Sequence, residues 1–152
     1  MQKHKKNESF KDELKLENQV CFPLYSAANA IVRAYRPLLE PLGLTYLQYL
    51  AMMVLWSSDG INVKELGNCL YLDSGTITPL LKRLESKGLI IRKHHKLDER
   101  MKKLYLTPAG INLKQRAREV PKAISCNLDI ELSDLNQLKH LCENLILTLN
   151  KP

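Results

Sequence analysis

Between residues 63 and 106 the spacing of apolar side chains changes character, and that change limits the folds open to this chain. Val63, Leu66 and Leu70 recur at helical spacing, with Gly67 on the same side allowing close packing. After the brief turn Tyr71-Leu72-Asp73 the helical spacing resumes at Ile77, Leu80, Leu81 and Leu84, and Gly88 stands where such a helix ends. Residues 89–93 and 101–106 are β-like runs, separated by the polar stretch 94–100. Two short helices joined by a tight turn, then a charged hairpin, is the order of a winged helix-turn-helix. In that motif the second helix reads the major groove of double-stranded DNA.

The flanks read as helices. Residues 1–13 form a polar, flexible tail. Leu16, Val20, Leu24, Ala27, Ala28, Ile31, Ala34, Tyr35 and Leu38 predict a first helix that ends near Glu40, where Pro41 and Gly43 break it. Thr45 and Gln48 make a capping box for a helix burying Leu47, Leu50, Ala51, Val54 and Leu55 and stopping at Asp59-Gly60. Thr107-Pro108 opens another, which runs to about Val120 with Pro121 limiting or kinking it. Ser133 caps the last, whose Leu135, Leu138, Cys142, Leu145 and Leu149 step 3-4-3-4 as a short coiled-coil-like seam, read either as packing on its own core or as an interface. The expected fold is mainly α with a small β-hairpin wing, a single domain over residues 14–152. Its winged helix-turn-helix covers about 45–106, and its dimerisation helices cover about 14–40 and 107–150.

Composition narrows the partners. With 152 residues and 45% hydrophobic side chains the chain suits one soluble domain. The longest apolar run is far shorter than the ~18 residues of a membrane span, and residues 1–15 lack the apolar core of a secretory signal, so a cytoplasmic protein with no membrane partner is expected. Net charge is +7, and residues 80–103 carry +6 of it in 24 positions. A positive charge gathered in one segment is the footprint of a polyanion partner.

At ~100° per residue the inner face Ile77, Leu80, Leu81 and Leu84 leaves Gly75, Pro79, Lys82 and Ser86 outermost, flanked by Thr76, Thr78 and Arg83. A glycine and a proline on an exposed helix face suit a backbone that approaches another surface closely. The helix start is open: Asp73 as cap would put Pro79 in the second turn at the loss of one hydrogen bond, whereas Thr78 as cap would put it first, and local sequence favours the shorter helix. The 94–100 stretch is either a solvated charge run or a wing whose Arg100 enters a minor groove, held by Asp98. His94 and His95 lack further nearby ligands, Cys21, Cys69, Cys126 and Cys142 show no metal-ligand spacing, and neither metal nor cofactor is expected.

Cys21 falls near the start of the first helix, since Pro23 is best tolerated in a first turn; the helix dipole there favours a thiolate. Tyr25, four residues on, is within reach of the sulfur. Tyr35 shares the face but lies ~21 Å along the axis and cannot touch its own Cys21 on a straight helix, whereas antiparallel packing of two subunits brings it to the other Cys21. The alternative is that all three are core filler.

The residues from Val63 through Gly67 and from Leu70 through Glu85, then Asp98-Glu99-Arg100 and Leu106-Thr107-Pro108-Ala109-Gly110, resemble the MarR family. Asn18-Gln19-Val20-Cys21-Phe22, Ala34-Tyr35-Arg36-Pro37-Leu38-Leu39 and Leu42-Gly43-Leu44-Thr45-Tyr46 resemble, more narrowly, its organic hydroperoxide resistance regulators. The match spans roughly residues 16–120. It favours a recognition-helix start near Asp73. It implies a homodimeric, non-enzymatic repressor that leaves operator DNA when Cys21 is oxidised by an organic hydroperoxide, with Tyr25 and Tyr35 hydrogen-bonding the sensing thiol. It implies DNA contacts from Ser74, Gly75, Thr76, Thr78, Pro79, Lys82, Arg83 and Arg100, with Asp98 as partner to Arg100. Cys126 lies where two-cysteine members carry the resolving thiol. Leu47 departs from a usual proline and Cys69 is an additional thiol, read as half buried; Cys69 and Cys142 are expected to be packing residues. The rival readings are a MarR-type repressor induced by a small aromatic ligand without redox chemistry, a thiol peroxidase, and an architectural DNA protein.

Overall fold

A computed structural model describes residues 13–95 and 98–150, and leaves the side chains of residues 95 and 98–101 outside the description. Nearly all of the expected tail at 1–13, and Lys96 and Leu97 of the wing, lie outside the described residues. The described chain is mainly helical with one two-stranded antiparallel sheet. It divides into two compact units, one up to Val120 and one from Pro121 onward.

The first unit opens with a 3-10 turn, Leu16–Asn18, and helix α1, Cys21–Leu39. The first helix thus begins at Cys21 rather than at Leu16, with Pro23 in its first turn as expected. It passes into a second 3-10 turn, Glu40–Leu42, closed by Gly43 at φ 67°. Helix α2, Tyr46–Ser57, starts on the Thr45–Gln48 capping box, with the Gln48 N–H donating to Thr45 Oγ1 at 3.3 Å and the Thr45 N–H to Gln48 Oε1 at 3.2 Å. Its inner face is Gln48, Tyr49, Ala51, Met52 and Leu55; Leu47, Leu50 and Val54 are only half-buried, because the helix turns its Gln48–Met52–Leu55 side to the core.

Helix α3, Val63–Leu70, carries a second capping box between Asn62 and Glu65 and ends on Tyr71 in the left-handed region. Leu66 and Gly67 face inward, and a Cβ on Gly67 would stand 3.0 Å from the Leu72 carbonyl oxygen, which is the close packing its position promised. Cys69 is exposed, not half-buried, because it lies beyond the edge of the stripe formed by Val63, Leu66 and Leu70.

Helix α4, Ser74–Ser86, starts at Asp73, whose Oδ1 accepts the Thr76 N–H at 2.8 Å. The shorter helix favoured by local sequence is overturned. A start at Thr78 would leave Ile77 off the inner face, and burying it beside Leu80, Leu81 and Leu84 outweighs the one bond lost at Pro79. The helix closes as expected on Gly88 (φ 68°), with the Gly88 N–H bonded to the Glu85 carbonyl and the Leu89 N–H to that of Leu84.

Strands β1, Ile90–His95, and β2, Asp98–Leu106, pair from Ile90 opposite Leu106 to His94 opposite Lys102, then shift register so that His95 meets Asp98. Pairing therefore reaches into the stretch read as a loop, and places Asp98 and Arg100 on β2. The turn after α2 is stitched to the same strand: Asp59 Oδ1 accepts the Leu106 N–H, and the Gly60 N–H donates to the Leu104 carbonyl. Helix α5, Pro108–Ala117, is capped by Thr107. Gly110 is required there, since a Cβ would fall 2.1 Å from the Leu89 carbonyl oxygen.

The expected run of this helix to Val120 is also corrected. It ends at Ala117, and α6, Val120–Leu128, starts three residues later with Pro121 in its first turn, where proline removes no helical hydrogen bond. Helix α7, Leu132–Leu149, begins one residue before Ser133; its flanking residue is Glu131, without a side-chain cap. None of the α7 residues is buried: Leu138, Leu141, Leu145, Leu147 and Leu149 are all exposed, and Leu135 and Cys142 half-buried.

Candidate functional site

The face of α4 opposite the core is a continuous polar surface. Ser74, Gly75, Thr76, Thr78, Pro79, Lys82, Arg83 and Ser86 are all exposed, above Ile77, Leu80, Leu81 and Leu84. Gly75 also has a local reason, for its Cβ would stand 3.2 Å from the capping Asp73 Oδ1. The next element, β1, is tied to the last turn of this helix. Arg92 Nε donates to Glu85 Oε2 at 2.8 Å and a second guanidinium nitrogen bonds the same oxygen. That hydrogen bonding holds the Glu85 carboxyl below its ordinary range and raises Arg92 above its own. Helix and hairpin thus present cations together, Lys82 and Arg83 on α4 and Lys93 and Lys102 on the strands; the backbone of Arg100 lies on β2 and its side chain is outside the description. Asp98 is on the same strand two residues earlier. An exposed helix with small and cationic residues, braced against a basic hairpin, has the shape and charge to lie along a DNA groove.

A second group of residues lies on α1. Cys21 is its first residue, exposed, at a helix start without a side-chain cap. Tyr25 follows one turn on and is 69% exposed. Tyr35 is not beside them. Its ring lies 4.8 Å from that of Tyr46 and 6.0 Å from that of Tyr49, and burial, with the neighbouring phenols, raises its pKa. One chain therefore brings Cys21 and Tyr25 onto one helix end and Tyr35 into an aromatic cluster at the other. Cys126 is exposed on α6, in the second unit, and Cys142 half-buried on α7. Among the described residues no group of His, Cys, Asp or Glu is arranged to hold a metal.

Three features escaped the sequence reading. Glu85 and Arg92 show in the sequence only as charges, although seven positions across a helix end and a strand start is pairing distance. Tyr46 carried no role until the fold set it against Tyr35. Lys87, at the end of α4, donates to the Gly43 carbonyl oxygen and, at 2.8 Å, to the Oε1 of buried Gln48. Only the polar residue in the third position of the capping box hinted at that link. Beside it an open cavity of about 540 Å³ is lined by Arg33, Arg36, Glu40, Tyr46 and Lys87, among others.

These features define a winged helix-turn-helix DNA-binding regulator. Comparison with known proteins narrows the class: residues 44–102 match the model of the MarR family. The chain is 45% identical over 140 residues to the organic hydroperoxide resistance transcriptional regulator of Bacillus subtilis (strain 168), covering 92% of this chain and 95% of that protein. Reduced AbfR bound to DNA superposes with a TM-score of 0.76 at 34% identity, covering 91% of this chain and 94% of that one. Disulfide-formed AbfR gives a TM-score of 0.59 at 32% identity, over 94% and 95%. The chain belongs to the MarR family. These relatives are transcriptional regulators, not enzymes, which sets the thiol peroxidase reading aside.

Proposed function

We propose that the chain is a peroxide-sensing repressor that binds operator DNA as a homodimer in the cytoplasm and is released when an organic hydroperoxide oxidises Cys21. The observation that carries this reading is an exposed thiol at the uncapped start of α1, in the same polypeptide as an exposed, basic recognition helix. The 45% identity to a regulator named for organic hydroperoxide resistance supports it, as does the existence of reduced DNA-bound and disulfide states of AbfR. In the chemistry, the Cys21 thiolate attacks the O–O bond, giving a sulfenic acid and an alcohol. A second thiol, assigned to Cys126, condenses with it to a disulfide and releases water. Because a disulfide needs its Cα atoms within ~7 Å, bond formation moves the helices carrying the two cysteines. Recognition helices spaced for one DNA turn, ~34–36 Å, then lose that spacing. Tyr25 and Tyr35 hydrogen-bond the sensing thiol, Tyr35 from the partner subunit. Ser74, Gly75, Thr76, Thr78, Pro79, Lys82, Arg83 and Arg100 contact DNA, with Asp98 orienting Arg100. Helices within 14–40 and 107–150 form the dimer.

The test is a gel shift on DNA upstream of the protein's own gene, with and without cumene hydroperoxide, read beside mass spectrometry under non-reducing conditions. Cys21→Ser stays bound in peroxide. Cys126→Ser forms the sulfenic acid but no Cys21 disulfide. A dominant disulfide through Cys69 or Cys142, with Cys21 reduced, overturns the assignment. The cavity beside Arg33, Arg36 and Lys87 favours a second reading, release by a small aromatic carboxylate without redox chemistry. A Cys21→Ser protein that still leaves DNA on adding such a ligand selects it.

A further inference from the structure

We propose that Lys87 is a positioning residue that couples the recognition helix to the end of α1, so that a displacement of the helix carrying Cys21 reaches the DNA-reading surface through its ammonium group. The inference rests on the redox reading above and adds the residue by which the signal crosses the fold.

Lys87 terminates α4: its own N–H bonds the Arg83 carbonyl as the last turn closes. A lysine at a helix C-terminus ordinarily stays with its own carbonyls or with water. Here the side chain leaves its helix for acceptors 44 and 39 positions away, the Gly43 carbonyl oxygen and Gln48 Oε1. Both belong to the corner between α1 and α2. Gly43 closes the turn that ends α1, and Gln48 is 2% exposed, its Oε1 also taking the Thr45 N–H that starts α2. Lys87 itself is exposed, but Gln48 Oε1 takes both its ammonium and the Thr45 N–H, so one amide oxygen joins the end of α4 to the start of α2.

The corner is equally tied to α1. Tyr46, the first residue of α2, sets its ring 4.8 Å from that of Tyr35, and Leu39 at the end of α1 is buried in the core. A movement of α1 therefore acts on the corner by packing, and the corner acts on the recognition helix through Lys87. The Glu85–Arg92 pair, with Glu85 two residues before Lys87, holds the same helix end to the hairpin, so a pull at Lys87 moves both DNA-reading elements.

The experiment compares full-length wild type, Lys87→Met and Lys87→Arg, each reduced with dithiothreitol or oxidised with cumene hydroperoxide. Operator affinity is measured in both states. The readout is the ratio of reduced to oxidised affinity. In Lys87→Met the ratio is expected to shrink roughly fivefold or more, the oxidised protein keeping its hold on DNA, while reduced affinity changes less than about threefold. Lys87→Arg, which can reach both acceptors, restores the wild-type ratio. Lys87→Ala makes the same comparison if the methionine variant does not fold. A lysine with only a structural role would lower the melting temperature and leave the ratio alone. A responsive wild type beside an equally responsive Lys87→Met overturns the inference by itself. A wild type that keeps DNA when oxidised overturns the redox reading, and this inference with it.

Discussion

The helix-turn-helix region and the C-terminal helix are both rich in leucine and differ in what those leucines touch. Between Thr45 and Leu106 most of the described apolar residues close on one another. Leu55, Leu66, Leu81, Leu84 and Leu104 are fully buried, three helix starts are capped by Thr45, Asn62 and Asp73, and Asp59 holds the turn to β2. In α7 the same residue type lies at the same helical spacing, yet Leu138 is 46% and Leu145 42% exposed and nothing is buried. The N-terminal part of α1 behaves like α7, with Phe22, Leu24 and Tyr25 all exposed, as is Val20 just before it. The first region satisfies its hydrophobic pattern within one chain. The other two leave theirs open, as the homodimer proposed above requires.

That contrast can be broken most directly in α7. Leu138→Glu with Leu145→Glu should dissociate the proposed dimer and abolish operator binding. Each leucine buried in an interface contributes ~1.5–3 kcal/mol, so the pair is worth about 100-fold or more in dimer affinity. Sedimentation of the variant at micromolar concentration checks it, and an intact dimer would mean that the seam serves the fold of its own chain. The DNA-reading side gives the next largest effect. Arg100→Ala should lower operator affinity by ~1–3 kcal/mol and flatten its salt dependence, with Lys82→Ala and Arg83→Ala altering affinity or sequence preference. Anisotropy titrations across salt concentrations measure this, and an Arg100→Ala protein with unchanged affinity and slope removes the wing from the interface.

The smallest effect sharpens how the first region holds itself together. The Glu85–Arg92 pair, with side chains 28% and 22% exposed, should contribute about 1 kcal/mol that Glu85→Gln removes at neutral pH. The sign follows from the carboxyl being held below its ordinary value by Arg92. Its contribution is fully present above the unfolded pKa of ~4.3 and is lost as pH falls through the lower folded value. Denaturation of both proteins at neutral and at acid pH should show the gap closing toward acid. A gap that persists unchanged at low pH would assign the loss to packing rather than to charge.

The elements that depend on near neighbours are legible in the amino-acid order alone. Helical spacing at Ile77, Leu80, Leu81 and Leu84, the Thr45–Gln48 capping box, the Thr107-Pro108 helix start, the glycine stop at Gly88 and the basic segment between 80 and 103 are legible because period, cap and turn are set within a few residues. The relation of Cys21 to the first turn of α1 was legible for the same reason, through Pro23. The start of α4 was not. Local rules put the cost of Pro79 first, and only the core beneath Ile77 makes that cost worth less than the burial it permits. The extent of the hairpin, the exposure of Cys69, the separate α6 beginning just before Pro121 and the Gln48–Lys87 and Glu85–Arg92 links were likewise decided by tertiary structure. Each of these depends on which side of an element meets the core, or on two groups brought together from different elements, and neither is fixed by spacing along one chain segment.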